Sequence, residues 1–249
     1  MKYYNPHLLR QKKFIIFKTY PRIIKILPIS FFILVCGIKP DKIVGGSEVT
    51  PYSLPWQVAF VRRGSNQPFC GGTLISDRHI LTAAHCTWDV GSYDVIVGEH
   101  DITSSSDGTR HSVCRSVDHP DNNHPNYLQN DVAILHLLEP VQIGQRAVPA
   151  CLPLMSICPS LDCPNFGGDF LAGKNMTVSG WGVLSENGES PTVLHSVNVP
   201  GITNLQCNDD YKDSAWNVTI TKDMLCAGES DGGVDACQGD SGGKSSSNL

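Results

Sequence analysis

Three segments far apart in the chain hold side chains that could together perform acyl transfer. Ser241 lies in Gly239-Asp240-Ser241-Gly242-Gly243. Glycines on both sides of a serine leave its hydroxyl uncrowded and nearby backbone N–H groups free to hold a developing oxyanion. His85 lies in Thr82-Ala83-Ala84-His85-Cys86, among small residues and next to a cysteine that can fix it in place. Asp131 follows Asn130 and opens the apolar run Val132-Ala133-Ile134-Leu135, a carboxylate at the lip of a buried strand. Each segment also has an ordinary reading. Gly, Asp and Ser are the residues turns prefer, and a strand-end Asp commonly closes a turn. A buried carboxylate must find a donor, however, and an imidazole N–H is a suitable one.

The elements that must position these groups are short. Residues 56–62, 72–76, 93–97, 132–138, 176–181 and 193–199 read as strands, β-branched or alternating and separated by Gly, Pro, Asn and Ser. No long segment of helical period interrupts them, and residues 209–216 are expected to form one or two helical turns. Residues 155–174, with two cysteines and several glycines, read as a long loop between two halves. This pattern argues for an all-β barrel or sandwich.

The chain has 249 residues, 41% of them hydrophobic and 8% aromatic, which is ample for one large all-β domain or two small barrels. Its formal charge of -5 is unevenly spread. Residues 1–42 hold nine of the 19 Lys and Arg and one of the 24 acids, Asp41, so ten bases face 23 acids from Ile43 onward. A region that acidic is a poor binder of nucleic acid or anionic membranes. Ten cysteines without a CxxC pair point to an oxidising compartment rather than a metal site. Asn175-Met176-Thr177 and Asn217-Val218-Thr219 are candidate glycosylation sites. The apolar run 26–35, after a basic lead, is too short to span a bilayer and suits a signal-peptide core, although Pro28 interrupts it and no clear cleavage site precedes Cys36. Secretion without a stable membrane span is the expectation.

Read in chain order, His85, Asp131 and Ser241 resemble the catalytic set of the trypsin-like (chymotrypsin-family) serine proteases. Ile43-Val44-Gly45-Gly46, Cys70-Gly71-Gly72-Thr73-Leu74-Ile75, Cys151-Leu152-Pro153 and Ser179-Gly180-Trp181-Gly182 extend the likeness from Ile43 to Gly243. The resemblance implies an all-β double antiparallel barrel over residues 43–249, preceded by a signal-like and activation segment at 1–42. It implies Ser241 as nucleophile, His85 as general base and acid, and Asp131 as its orienting partner, with the N–H groups of Gly239 and Ser241 as the oxyanion hole. Asp235 falls where relatives that cleave after Lys or Arg carry the acid of the specificity pocket, and a buried carboxylate there needs a cation. Cleavage after Lys42 would free the Ile43 ammonium to pair with Asp240, so the chain is expected to be a zymogen activated by another protease or by itself. The implied disulfides are Cys70 with Cys86, Cys207 with Cys226, and Cys36 with Cys151. Cys158 and Cys163 can pair locally, and Cys114 has no evident partner. Expected partners are protein or peptide substrates bearing Lys or Arg and protein protease inhibitors. No cofactor and no metal is implied.

The sequence also departs from the family. Relatives continue past Gly-Asp-Ser-Gly-Gly with Pro, further strands, a Ser-Trp-Gly-like segment and a C-terminal helix, whereas here Lys244 leads to Leu249. The second barrel is therefore expected to be incomplete at its C-terminal side, Cys237 lacks its usual partner, and Met176 stands where many relatives have a cysteine. Glu99 and Asp101 lie in a loop that binds calcium in some relatives, but Ser106 and Thr109 replace further acids, too few oxygens for a hard cation. Two readings stay open: a secreted endopeptidase, possessed in full only by a longer translation, or a catalytically incompetent homologue that binds a protein partner.

Overall fold

A computed structural model of the chain describes residues 14–17, 47–89, 91–104, 106–126, 129–152, 168–184, 188–212, 219–228, 241 and 245–247. Six strands close a barrel in the order β3 (Gln57–Arg62), β4 (Pro68–Leu74), β5 (His79–Thr82), β8 (Ala133–Leu137), β7 (Thr109–Asp118) and β6 (Tyr93–Val97). Every adjacent pair is antiparallel, and closure leaves this barrel with no strand edge. The second sheet has the order β1 (Phe14–Phe17), β11 (Met224–Ala227), β10 (His195–Ile202), β9 (Asn175–Gly180) and β12 (Ser245–Ser247), and β2 (Ser47–Glu48) also pairs with β10. Among the described residues it remains open. The expected all-β architecture is the observed one.

The barrel core is continuous. Phe60, Leu74, Ile80, Tyr93, Leu135 and Leu137 are its large, fully buried side chains. Full burial of one such group stabilises by about 1.5–3 kcal/mol. Phe60 stacks on Tyr93 with ring centroids 5.7 Å apart. Gly72 belongs to this wall for want of space: a Cβ there would lie 2.7 Å from Phe60 and 2.8 Å from Ile80.

The same core extends through Trp181 and Leu194 into the second half. Trp181 Nε1 and Leu194 N both donate to the carbonyl of His100, and Ser179 Oγ donates to the buried Gln57 Oε1 at 2.8 Å. The segment that follows β6 is thus a joint between the halves.

The expected strands shift by one to four residues at most ends, and 93–97 coincides with β6. The expected helix moves further. The helix α1 runs from Asn204 to Tyr211, earlier than 209–216, because Thr203 Oγ1 accepts from Gln206 N and caps it there. Residues 213–218 lie outside the described set. Within the expected long loop, Gly168–Leu171 forms a short 3-10 turn.

Candidate active site

His85 is presented by structure rather than by an ordinary loop. β5 ends at Thr82 and the chain winds into a 3-10 turn, Ala84–Cys86, with Cys86 N bonded to Ala83 O at 3.1 Å. A disulfide from Cys86 to Cys70 on β4 pins this turn to the barrel. Thr87 Oγ1 lies 2.7 Å from Ala84 O and 3.0 Å from Asp118 Oδ1, fixing the exit. The small residues Ala83 and Ala84 are buried, which lets the turn sit against the core while the His85 side chain stays about one-third exposed.

Asp131 arrives from the other side. Asn130 adopts φ 56°, a left-handed conformation that Asn tolerates better than most residues. Its Nδ2 donates to the carbonyls of Asp121 and His124, so the turn before β8 is tied to its own loop. That turn drives the Asp131 side chain inward, where it is 2% exposed. Oδ1 accepts the backbone N–H of His85 at 2.8 Å, and Oδ2 lies 2.6 Å from His85 Nδ1. With Asp131 as a carboxylate, an acceptor only, Nδ1 carries the proton and Nε2 is the free basic nitrogen. The two-point contact sets both the tilt of the ring and its tautomer.

Ser241 stands beside this pair. Its carbonyl accepts from Gly71 N at 2.6 Å and lies 3.7 Å from Cys86 Sγ. Gly71 is itself held, because the buried Thr82 Oγ1 donates to its carbonyl at 2.8 Å. The fold therefore brings all three segments together, with Ser241 exposed. Among the described residues no hydrogen bond joins the Ser241 hydroxyl to the His85 ring. Asp235, Gly239, Asp240, Lys42, Ile43, Cys36, Cys158, Cys163, Cys237 and Asn217 lie outside the described residues. Asn175 is exposed at the start of β9.

Residue-type reasoning alone did not single out Asn130, Thr82 or Thr87. Asn130 had a usable signal, an Asn directly before an Asp that opens an apolar strand. The threonines had none.

The expected Cys70–Cys86 and Cys207–Cys226 disulfides are both present, Cys151 is disulfide-bonded, and Cys114 is a free, exposed thiol. Nitrogen and sulfur atoms of His85, Cys70 and Cys86 lie within 4.8 Å of one another, but both sulfurs are engaged in the disulfide and neither is a thiolate. In the 99–108 loop the acids turn to protein donors. Asp107 accepts from Tyr52 Oη at 2.7 Å and from the backbone of His100 and Asp101, while Asp101 accepts from Thr103. Burial and the neighbouring Asp107 push the Glu99 carboxyl up to about 7. Met176, where a cysteine is usual, is buried against Val199 and Ala227.

Comparison with known proteins accords with this geometry. The trypsin family model matches residues 43–245. The chain is 35% identical over 219 residues to the clotting factor G beta subunit of Tachypleus tridentatus, covering 84% of this chain and 67% of that one. It is 37% identical to ovochymase-2 of Mus musculus, covering 82% of this chain but 32% of the relative. It is 34% identical to the proclotting enzyme of Tachypleus tridentatus, over 84% and 56% respectively. The chain thus spans only part of the length of these relatives. Among solved structures, neuropsin, a serine protease expressed in the limbic system of mouse brain, aligns with a TM-score of 0.66 and 31% identity over 83% of each chain. No helix among the described residues is long and apolar enough to cross a membrane. The chain belongs to the trypsin family of serine-type endopeptidases.

Proposed function

We propose that this chain is the protease region of a secreted zymogen, cleaved after Lys42, that hydrolyses protein substrates after Lys or Arg. The observation that carries the reading is the double contact of buried Asp131 with His85 beside exposed Ser241. In this reading the Ser241 oxygen attacks the scissile carbonyl as His85 Nε2 takes its proton. The N–H groups of Gly239 and Ser241 hold the oxyanion. The C–N bond then breaks, and His85 gives the proton to the departing amine. Water repeats the sequence on the acyl-enzyme and restores the Ser241 hydroxyl.

Asp131 keeps the ring oriented and stabilises its cationic form, and each oxyanion donor contributes about 2.7–4 kcal/mol of barrier lowering. Asp235 pairs with the substrate cation. The new Ile43 ammonium pairs with Asp240, and a Cys36–Cys151 bond keeps the released segment attached. Asn175 and Asn217 are the proposed glycosylation sites. Two relatives named as a clotting factor subunit and a proclotting enzyme support a secreted role, and an activating protease and protein inhibitors are the partners this reading proposes.

A serine-directed fluorophosphonate probe on the Lys42-cleaved chain tests this. Labelling at Ser241 that disappears in His85→Ala is expected, and an unlabelled, folded, cleaved chain refutes it. That result would favour the second reading, a non-catalytic binding homologue.

A further inference from the structure

We propose that His79 and His136, on the outer wall of the barrel, chelate a divalent late transition ion of the copper or nickel class through one nitrogen of each ring. The pair is set by the strands. β5 alternates, with Ile80 and Thr82 buried and His79 and Leu81 partly exposed, and β8 does the same with Ile134 and His136 partly exposed. His79 stands directly opposite His136. The neighbouring rung is hydrogen-bonded, Leu137 N donating to Arg78 O at 2.9 Å, so the two histidines occupy the kind of rung on which side chains approach most closely. Their ring centres are 4.5 Å apart and their planes are inclined at 50°. With metal–nitrogen bonds of about 2.0–2.1 Å, two imidazoles bound at right angles around one ion hold their centres roughly 4.5 Å apart. The observed spacing is thus that of two cis ligands in a tetragonal site, the geometry copper and nickel prefer.

The rings are also prepared as ligands. His79 Nδ1 lies 2.7 Å from Ser76 Oγ, which accepts the Arg78 N–H at 3.2 Å. With Nδ1–H donating to that oxygen, Nε2 keeps its free electron pair, the arrangement that orients metal-bound histidines. His136 Nδ1 is buried and has no hydrogen-bond partner among the described residues. Asp77, Arg78 and Arg115 are the charged groups that face His79, and Arg115 also stands opposite His136 on β7. The Arg78 guanidinium is engaged by Leu138 O at 3.0 Å. Burial, then His136 and the arginines working against Asp77, lower the pKa of His79 and keep its ring in the neutral, ligating form. The arginines repel a metal ion as well as a proton, but one ion bonds to both rings where one proton serves a single ring. Cys114 Sγ lies 3.2 Å from His136 O and is the competing soft ligand nearby.

Such a chelate clamps the ladder that carries the proton-handling pair. Thr82 faces Ala133 on it, three rungs or about 10 Å from the histidines, and His85 and Asp131 lie just beyond. Titration of the full chain with Ni²⁺ in a non-coordinating buffer, read by calorimetry and by the thermal midpoint, tests the pair. A single bound ion and a raised midpoint are expected, both fading below about pH 6 as protons compete for the rings. His79→Gln and His136→Gln should each weaken binding about tenfold or more, while Cys114→Ser binds as before. The midpoint of each variant without Ni²⁺ reports that it is folded. A wild type that binds no ion, binding that survives in both histidine variants, or binding that depends on Cys114 overturns the site. None of these outcomes bears on the proteolytic reading, which serine labelling tests separately.

Discussion

The closed barrel and the open sheet share one molecule but are held together differently. The barrel has a single core in which Val58, Ala59, Phe60 and Val61 on one strand are all fully buried. Among the described residues the sheet has two small clusters, Cys207 with Ile220, Met224 and Cys226, and Met176 with Val199 and Ala227. His85 and Asp131 both belong to the barrel and are already locked together. Ser241 reaches them from the other half through its main chain. The proton-handling pair is thus held within one region and the nucleophile comes from the other, and the two regions should respond differently to damage.

The sharpest test on the barrel side is Asp131→Asn. Losing the carboxylate favours the wrong tautomer of His85, and kcat/KM is expected to fall about 10⁴-fold, as when a triad aspartate is replaced. The folded state should survive, because the amide can still accept the His85 N–H. A loss of under tenfold in steady-state hydrolysis would mean that the barrel pair does not orient the base.

Removing the disulfides one at a time compares the halves directly. The loops they close are similar, with sequence separations of 16 and 19, so chain entropy predicts about 3 kcal/mol for each. The readouts should nevertheless separate. Cys70→Ser/Cys86→Ser should free the His85 turn, lowering activity while the barrel resists proteolysis. Cys207→Ser/Cys226→Ser removes half of a four-residue cluster and should open the second sheet to limited proteolysis first. Identical cleavage patterns in the two variants would erase the distinction between the regions.

The smallest effect concerns the joint between them. A carboxyl raised to about 7 in the fold binds protons that the unfolded chain releases near its ordinary value of 4.5. Its contribution is therefore favourable at low pH and is lost as pH rises from about 4.5 through about 7. The thermal midpoint of the wild type should drop across that window relative to Glu99→Gln. Parallel curves would show that Glu99 does not titrate there.

Much of this was legible in the sequence where local and global demands agree. β6, Tyr93–Val97, is fully buried, bounded by turn residues and apolar enough to be read at both ends. β7 was missed, since Thr-Arg-His-Ser-Val-Cys-Arg-Ser-Val-Asp is mostly polar and only Val113 is buried along it. Its pairing with β6 and β8, not its composition, makes it a strand. The helix α1 was placed too late although Thr203 and Gln206 stand at the spacing of a capping box, a signal that was present and overlooked. β1 lies in the basic lead, where no strand was expected; its apolar Phe-Ile-Ile-Phe pairs along the edge of β11. At the site, residue types pointed to His85 and Asp131, but the second bond from Asp131 to the His85 backbone depends on the left-handed turn at Asn130. Such a bond joins residues 46 apart and has no local signature.

Gly71 has a consequence beyond its lack of a side chain. It receives the Thr82 hydroxyl on its carbonyl and gives its N–H to Ser241, so one residue is fastened at both ends. Thr82 is the last residue of the strand that leads to His85. Gly71 therefore acts as a strut of fixed length between the base-bearing strand and the main chain of the nucleophile. A displacement of β5 would carry Ser241 along with His85, preserving their separation when the barrel wall flexes as a unit.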